Sequence, residues 1–234
     1  MLGHMDKKDI RRQLLERGQK VERLHPGRLA QLLRQQQVYR EAKAVHVSPG
    51  LLLSQVRMNV LADGKVLLCP TPGLKEGFHL LLPYTVPFAR LAHAVSQKGM
   101  REFGKLINQA DHLREISVSL TVTDCLAVDE QGVVLGNGKG FLDLSLAILN
   151  SWAVLSRDDM VIAVVPEEQL LADVFAADPW DSFADLVLSE EGIVGRGHGQ
   201  RRPRAPIFWH VLSEKRIRKI TPLWKLKQTV EMEI

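Results

Sequence analysis

Apolar positions recur along this chain first at helical spacing and then in short runs. Ile10, Leu14 and Leu15 share one side of a helix over Lys7 to Arg17, and Leu29, Leu32 and Leu33 do the same over Arg28 to Val38. Ala44-Val45-His46-Val47 then reads as a short strand, ended by Ser48-Pro49-Gly50. Leu51 to Leu61 has the pattern of a helix, with Asp63-Gly64 as its C-terminal stop. Lys65 to Cys69 is a buried strand halted by Pro70 and Pro72, and Ile116 to Val122 alternates as a half-buried strand. Leu144 to Leu149 reads as helix, Val161 to Val165 and Leu186 to Leu188 as inner strands, and Glu167 to Phe175 as a helix between them. Repeated strand–helix units predict an α/β protein, a mostly parallel central sheet with helices on both faces.

Two regions depart from this rhythm. Pro83 to Gln109 carries prolines and a weak helical pattern, which suits an excursion over the sheet edge. Gly195 to Arg204 is a basic glycine-rich loop, open to two readings: a contact for RNA or phosphate, or a solvated linker. After it, Ile207 to Leu212 is strand-like, and Ser213 is placed to cap a helix over Glu214 to Ile220.

With 234 residues, 45 % of them hydrophobic, the chain can bury a full core. We read one α/β domain over 6–195, with 196–234 packing on it as a basic loop, strand and helix; 1–5, where Met5 follows Gly3-His4, read as a cloning remnant. No apolar run approaches the ~20 residues that span a bilayer, and the N-terminus lacks the apolar stretch of a signal peptide. Cys69 and Cys125 are expected as buried free thiols, which points to the cytoplasm. A net charge of +4 does not require nucleic acid and suits an anionic small-molecule substrate equally well.

The densest chemistry lies in Gly136-Asn137-Gly138-Lys139-Gly140-Phe141-Leu142-Asp143. Glycines admit positive φ and let a ligand approach main-chain N–H groups, and the loop feeds the N-terminus of a helix, where anions are favoured. Lys139 adds a mobile charge, and Asp143 can hold Mg²⁺ against the same phosphates or serve as a first-turn carboxylate favoured by the helix dipole. The spacing is neither that of the P-loop nor that of the dinucleotide fingerprint, so a plain strand-to-helix turn stays open.

The run from Asp129 to Asp143 resembles the signature of the 5-formyltetrahydrofolate cyclo-ligase family, also called methenyltetrahydrofolate synthetase. Val161 to Val165, Glu168-Gln169 and Trp180-Asp181-Ser182-Phe183-Ala184-Asp185 are similar to a second family segment, and Lys7 to Arg11 to its N-terminal helix. Leu53 to Lys65, Pro70-Thr71-Pro72, Gly77-Phe78 and Arg202 to Trp209 are similar to a divergent cyclo-ligase-like branch. The resemblance implies a fold like that of NagB, RpiA and CoA transferases. It implies ATP and Mg²⁺ as cofactors, and a nucleotide plus a folate-like or thiamin-related small molecule as ligands. It places Lys7, Arg11, Gly136, Asn137, Gly138, Lys139, Gly140 and Phe141 at the nucleotide, with Lys139 and Arg11 catalytic. Asp143 and Asp181 fall to the metal, and Leu52, Leu53 and Trp180 to the substrate.

The departures from the family pattern carry chemistry too. The family's folate-contacting Glu-Thr falls near Leu52 and Leu53, and a leucine cannot replace that hydrogen bond. Trp180 stands where the family has His, offering a stacking face or simply core packing. Thr123-Asp124 replaces Pro-Gly or Pro-Ser, Phe141-Leu142 replaces a tyrosine pair, and Asn137 leaves Lys139 as the loop's one cation. Lys7 and Arg11 are also compatible with an ordinary solvated helix face. Three functions follow: an ATP-dependent cyclo-ligase, an ATP-using relative with a non-folate acceptor, and a non-catalytic binding protein using the basic loop.

Overall fold

The computed structural model describes residues 6–16, 25–172, 174–195 and 204–232. The chain opens with three helices, α1 (Lys7–Glu16), α2 (Pro26–Gln35) and α3 (Gln37–Glu41), before strand β1 (Ala44–Val47). A 3₁₀ turn leads into α4 (Ser54–Ala62), then come β2 (Val66–Pro70) and β3 (Phe78–Leu81). Residues 83–109 hold the short helices α5 (Leu91–Ala94) and α6 (Gln97–Phe103) and the strand β4 (Lys105–Ile107). Next follow β5 (Val118–Asp124), the small ladder β6 (Ala127–Val128) and β7 (Val134–Leu135), α7 (Phe141–Ser151) and β8 (Leu155–Val164). The remainder is β9 (Leu186–Ser189), β10 (Gly192–Gly195), α8 (Glu214–Lys219) and α9 (Thr221–Met232).

The main sheet has eight strands in the order β10-β9-β8-β5-β1-β2-β3-β4. The five inner strands from β9 to β2 pair in parallel, while β10, β3 and β4 run antiparallel at the two edges. All four residues of β1 are buried, as a strand covered on both faces requires. Val45 and Val47 point to one layer with Leu33, Tyr39, Val56, Val60, Ala94 and Met100 from α2 to α6. Ala44 belongs to the opposite layer, with Leu144, Ile148, Trp152, Ile217 and Leu223 from the α7–α9 side. Helices therefore cover both faces, as the strand–helix alternation predicts.

Several local expectations are corrected. The helix over Arg28 to Val38 breaks at Gln36, which turns extended (φ −73°, ψ 137°) and separates α2 from α3. Glu167 to Phe175 forms no helix beyond a 3₁₀ turn at Glu167–Gln169. Its backbone amides go elsewhere: Leu171 N–H donates to Val128 O (2.9 Å) and Phe175 N–H to the buried Asp129 carboxylate (2.8 Å). Tertiary partners thus outbid the local helix ladder for these donors. Ile207 to Leu212 holds a 3₁₀ turn (Trp209–Val211) in place of a strand. The Pro83 to Gln109 excursion does run over the edge, but it also contributes a strand and core residues Leu91, Val95 and Met100. Ser213 does cap α8, accepting from the Arg216 amide. Both cysteines are free; burial pushes the Cys69 thiol up to about 12. No helix among the described residues is long and apolar enough to cross a membrane. Residues 1–5 and 196–203, most of the basic loop, lie outside the described residues.

Candidate functional site

The chain steps from β1 to β2 on one side and later returns to place β5 on the other. A crevice must open beyond the C-terminal ends of β1 and β5, where open α/β sheets take their ligands. A cavity of about 840 Å³ lies there, toward the upper end of the usual size for small-molecule sites. Its walls are Ser48–Gly50 after β1, Thr123 and Asp124 at the end of β5, the glycine loop with the first turn of α7, and Lys7 and Arg11 of α1. The segment around Ala176, Asp178, Trp180 and Asp181 closes one side, and Pro206 to Phe208, Leu212 and Arg216 another.

The glycine loop leaves β7 and enters α7 through left-handed residues, Gly138 at φ +82° and Gly140 at φ +59°. Nothing lies within 4 Å of where a Cβ on Gly136 would stand, so that side of the loop is open. Two guanidinium groups from distant parts of the chain grip its carbonyls. Arg11 Nε donates to Gly136 O at 3.0 Å, and Arg216 Nη2 donates to Lys139 O. The Asn137 side chain accepts from the Lys139 amide at 3.1 Å. Asp143 and Arg216 meet at Gly140, where an added Cβ would lie 3.5 Å from Asp143 Oδ2 and 3.7 Å from Arg216 Nη2. Arg216 reaches this point because its neighbour Ile217 is buried with Ile220 and Leu223 against α7.

The carboxylates divide the work. Asp143 Oδ1 accepts from the Ser182 amide at 2.8 Å. Burial raises its pKa above the ordinary aspartate value, the Ser182 hydrogen bonds oppose the rise, and the charge of Asp181 adds to it. Asp181 is paired with Lys7 and accepts from the Asp178 amide at 2.6 Å, while Lys7 Nζ also meets Asp178 at 2.8 Å. The Lys7 ammonium is therefore already neutralised by two carboxylates. Asp185, four residues on, faces elsewhere, accepting from the Val161 amide at 2.7 Å and from Arg204 at 3.2 Å. Arg204, the described end of the basic loop, is itself bound to Asp159 at 2.7 Å.

The structure thus brings together Lys7, Arg11, Gly136, Asn137, Gly138, Gly140, Phe141, Asp143, Trp180 and Asp181 from among the residues expected at the site. Trp180 is half-buried and meets Phe208 edge-to-face at 5.8 Å, so it both packs and lines the cavity. Three expected residues do not line it. Lys139 stands exposed, and only its backbone is held. Leu53 is 1 % exposed inside the core beside Val45, and Leu52 packs on the same cluster, because the 3₁₀ turn before α4 directs this segment into the protein. Sequence reasoning missed Arg216, Asp124 and Gly50 as lining residues. The first depends on long-range packing; the other two could have been found as residues just beyond strand ends.

A metal or nucleotide must fit these groups. Among the described residues no set of three metal-binding side chains converges. Mg²⁺ in phosphoryl-transfer sites is commonly held by one or two carboxylates plus phosphate oxygens and water, and the Asp143 carboxylate, oriented by Ser182, lines the cavity where it would serve that purpose. The open glycine loop, the N-terminus of α7 and two guanidinium groups are the donors a phosphate chain needs. The residues fit both groups.

The 5-formyltetrahydrofolate cyclo-ligase family matches residues 4–190. A methenyltetrahydrofolate synthase domain-containing protein of Danio rerio is 25 % identical over 209 residues, 85 % of this chain and 52 % of that protein. Its Homo sapiens counterpart is 29 % identical over 196 residues, 81 % of this chain and 49 % of that protein. The chain thus spans about half the length of these curated relatives. The solution structure of Aquifex aeolicus 5,10-methenyltetrahydrofolate synthetase superposes with a TM-score of 0.52 at 19 % identity, covering 89 % of this chain and all of that one, which shows a shared fold. Pro206 to Arg216, which closes the cavity, lies beyond the matched family segment. With the family spanning four-fifths of the sequence and its glycine-loop signature forming a wall of the switch-point cavity, this chain belongs to the 5-formyltetrahydrofolate cyclo-ligase family.

Proposed function

We propose that the cavity binds MgATP along the Gly136–Gly140 loop and that the protein is an ATP-dependent, 5-formyltetrahydrofolate cyclo-ligase-like enzyme. The observation that carries this reading is the left-handed glycine loop, gripped by Arg11 and Arg216 and entering α7 beside Asp143. The names of the zebrafish and human relatives, which carry a methenyltetrahydrofolate synthase domain, support the same chemistry. In the reaction the formyl oxygen attacks the γ-phosphorus and ADP leaves. N10 then attacks the activated carbon, phosphate departs, and the ring closes to 5,10-methenyltetrahydrofolate. The chain's part is positioning and charge neutralisation: Arg11 and Arg216 oppose the phosphate charge, and the loop fixes the chain of phosphates for in-line transfer. Asp143, with Asp181 near it, would hold Mg²⁺, which would supply further neutralisation of the phosphate oxygens. The test is appearance of the methenyl chromophore from 5-formyltetrahydrofolate and MgATP. A rate equal to the buffer control excludes the cyclo-ligase, and absence of any MgATP effect on melting excludes the nucleotide site as well.

A second reading keeps the nucleotide and changes the acceptor to a non-folate molecule, a thiamin-related one among the candidates. It is favoured by the burial of Leu53 in the core and by the absence of Leu52 from the cavity lining, since neither can stand in for the family's folate-contacting carboxylate. Stabilisation by MgATP with no response to folates would select it. A non-catalytic binding protein is the outcome if MgATP binds but no phosphate is transferred.

Arg216→Ala is expected to weaken MgATP binding about 10- to 100-fold, the loss of one charge-assisted hydrogen bond of about 1.5–3 kcal/mol. Calorimetry on the parent and variant measures it, and unchanged affinity would remove the C-terminal segment from the site. Affinity for MgATP should also fall on acidification at a pH above that of an ordinary aspartate. Metal binding needs the ionised Asp143 carboxylate, and burial makes that group take up a proton earlier as pH drops. Asp143→Asn should bind weakly throughout and lose this dependence.

A further inference from the structure

Against Gly50, apart from the charged groups around the glycine loop, the cavity is lined by a carboxylate that no role above uses. Asp124 ends β5 and lines the cavity, and its carboxylate receives no hydrogen bond from any other described residue. Several donors of the residues around it are directed elsewhere. Ser48 and Thr123 pair their hydroxyls at 2.9 Å, with Thr123 Oγ1 also 3.2 Å from Asp124 O. The buried Arg57 gives Nη1 to the carbonyls of Ser48 (2.8 Å) and Gly50 (2.9 Å), and Nε to Val95 O (3.3 Å).

The carboxylate is also held close. A Cβ on Gly50 would lie 2.0 Å from Asp124 Oδ2 and 2.6 Å from Oδ1, so the group lies against bare backbone with room for no side chain at residue 50. Burial raises its pKa, and a hydrogen bond from its own backbone amide and the charge of Arg57 oppose that rise. A partly desolvated carboxylate with vacant lone pairs is unfavourable until a ligand supplies donors. Its charge repels phosphate, it has no part in the proposed Mg²⁺ site, and Arg57 is the one charged group among the described residues that perturbs it, which places it with the second ligand and not with the phosphates.

We infer that Asp124 sets specificity for the second ligand, which presents a nitrogen-rich donor group, an amine cation or an amidine-like N–C–NH₂ edge, to this carboxylate. Such an edge meets both oxygens with parallel, charge-assisted hydrogen bonds. A ligand offering only acceptors there would leave the carboxylate unpaired and be rejected, since sites built around a buried hydrogen-bonding group discriminate strongly against partners that lack it. The inference rests on the proposed function in one respect, that the phosphates occupy the glycine-loop end.

The experiment compares benzamidine with the neutral benzamide on the full chain, by calorimetry or ligand-observed resonance spectroscopy, without nucleotide. The parent should bind benzamidine at least about tenfold more tightly, and Asp124→Asn and Asp124→Ser should each abolish the preference. Two substitutions guard against a folding defect in one, and they separate Asp124 from Asp6, Asp178 and Asp181, which also line the cavity. Equal affinities in the parent, no measurable binding of either compound, or a preference that survives both substitutions would overturn the inference. MgATP binding to the parent is measured separately: its absence counts against the nucleotide reading, whereas the amidine result bears on Asp124 alone.

Discussion

Lys7→Ala is expected to melt roughly 6–12 °C below the parent. Lys7 is 9 % exposed and sits between Asp178 and Asp181, so its removal strands a carboxylate at Asp181 whose side chain is 12 % exposed. Breaking a buried pair from one side costs about 3–5 kcal/mol, because the remaining charge keeps its desolvation without its partner. Asp178 is half exposed and recovers solvation, which places the loss near the lower limit, about 3 kcal/mol. For a chain of this size each kcal/mol corresponds to about 2–4 °C. Although burial disfavours the Lys7 ammonium, its hydrogen bonds to the two aspartates outweigh that and raise its pKa. Lys7→Ala combined with Asp181→Asn should recover part of the loss. A single variant that melts within about 2 °C of the parent would show that the pair is not holding α1 in place. Nucleotide affinity should fall with it, since α1 also carries Arg11.

Acid should destabilise the protein by about 3 kcal/mol between neutral pH and pH 4 through one residue, His46. Its ring lies on β1, fully buried, with Nδ1 3.3 Å from Thr121 Oγ1 and its edge toward Phe78. Nε2 has no partner among the described residues. Burial disfavours the imidazolium and pushes the pKa down from 6.5 to about 4. Between those values the unfolded chain binds a proton that the folded chain refuses, so stability is intact above pH 6.5 and is lost as pH falls toward about 4. Burial lowers the pKa of His79, on β3, as well, with the same sign. Denaturant midpoints measured across this range for the parent and for His46→Leu should diverge, the variant showing the flatter curve. Parallel curves would assign the acid sensitivity to other groups.

The parallel architecture was legible because its signals are local and repeated. Ala44 to Val47 is too apolar to face water, and its period cannot be helical. The glycine loop was legible for a related reason, since three alternating glycines before an apolar helix have few other uses. Where local signals failed, long-range partners had intervened. Glu167 to Phe175 has helical composition, yet two of its amides are claimed by Val128 and by Asp129, more than forty residues away in sequence. Lys139 is the conspicuous cation of the loop, but loop residues take their direction from what grips them. Here Arg11 and Arg216 hold the carbonyls and leave the lysine side chain outside. Leu52 and Leu53 matched a binding position by alignment, whereas the 3₁₀ turn before α4 sends Leu53 into the core.

Hydrophobic periodicity and glycine placement determined the α/β layers of the fold and marked the glycine loop, because each depends on residues within one helical turn or one strand, while the family followed from the resemblance of motif segments spread along the chain. Which charges meet that loop was decided only in three dimensions. Arg216 arrives from the C-terminal helices through the burial of Ile217, Lys7 is quenched by Asp178 and Asp181, and the Asp124 carboxylate takes no hydrogen bond from another described residue because its neighbours direct donors to other acceptors. Pairings of that kind depend on distances between segments 75 to 174 residues apart, and no local pattern encodes them.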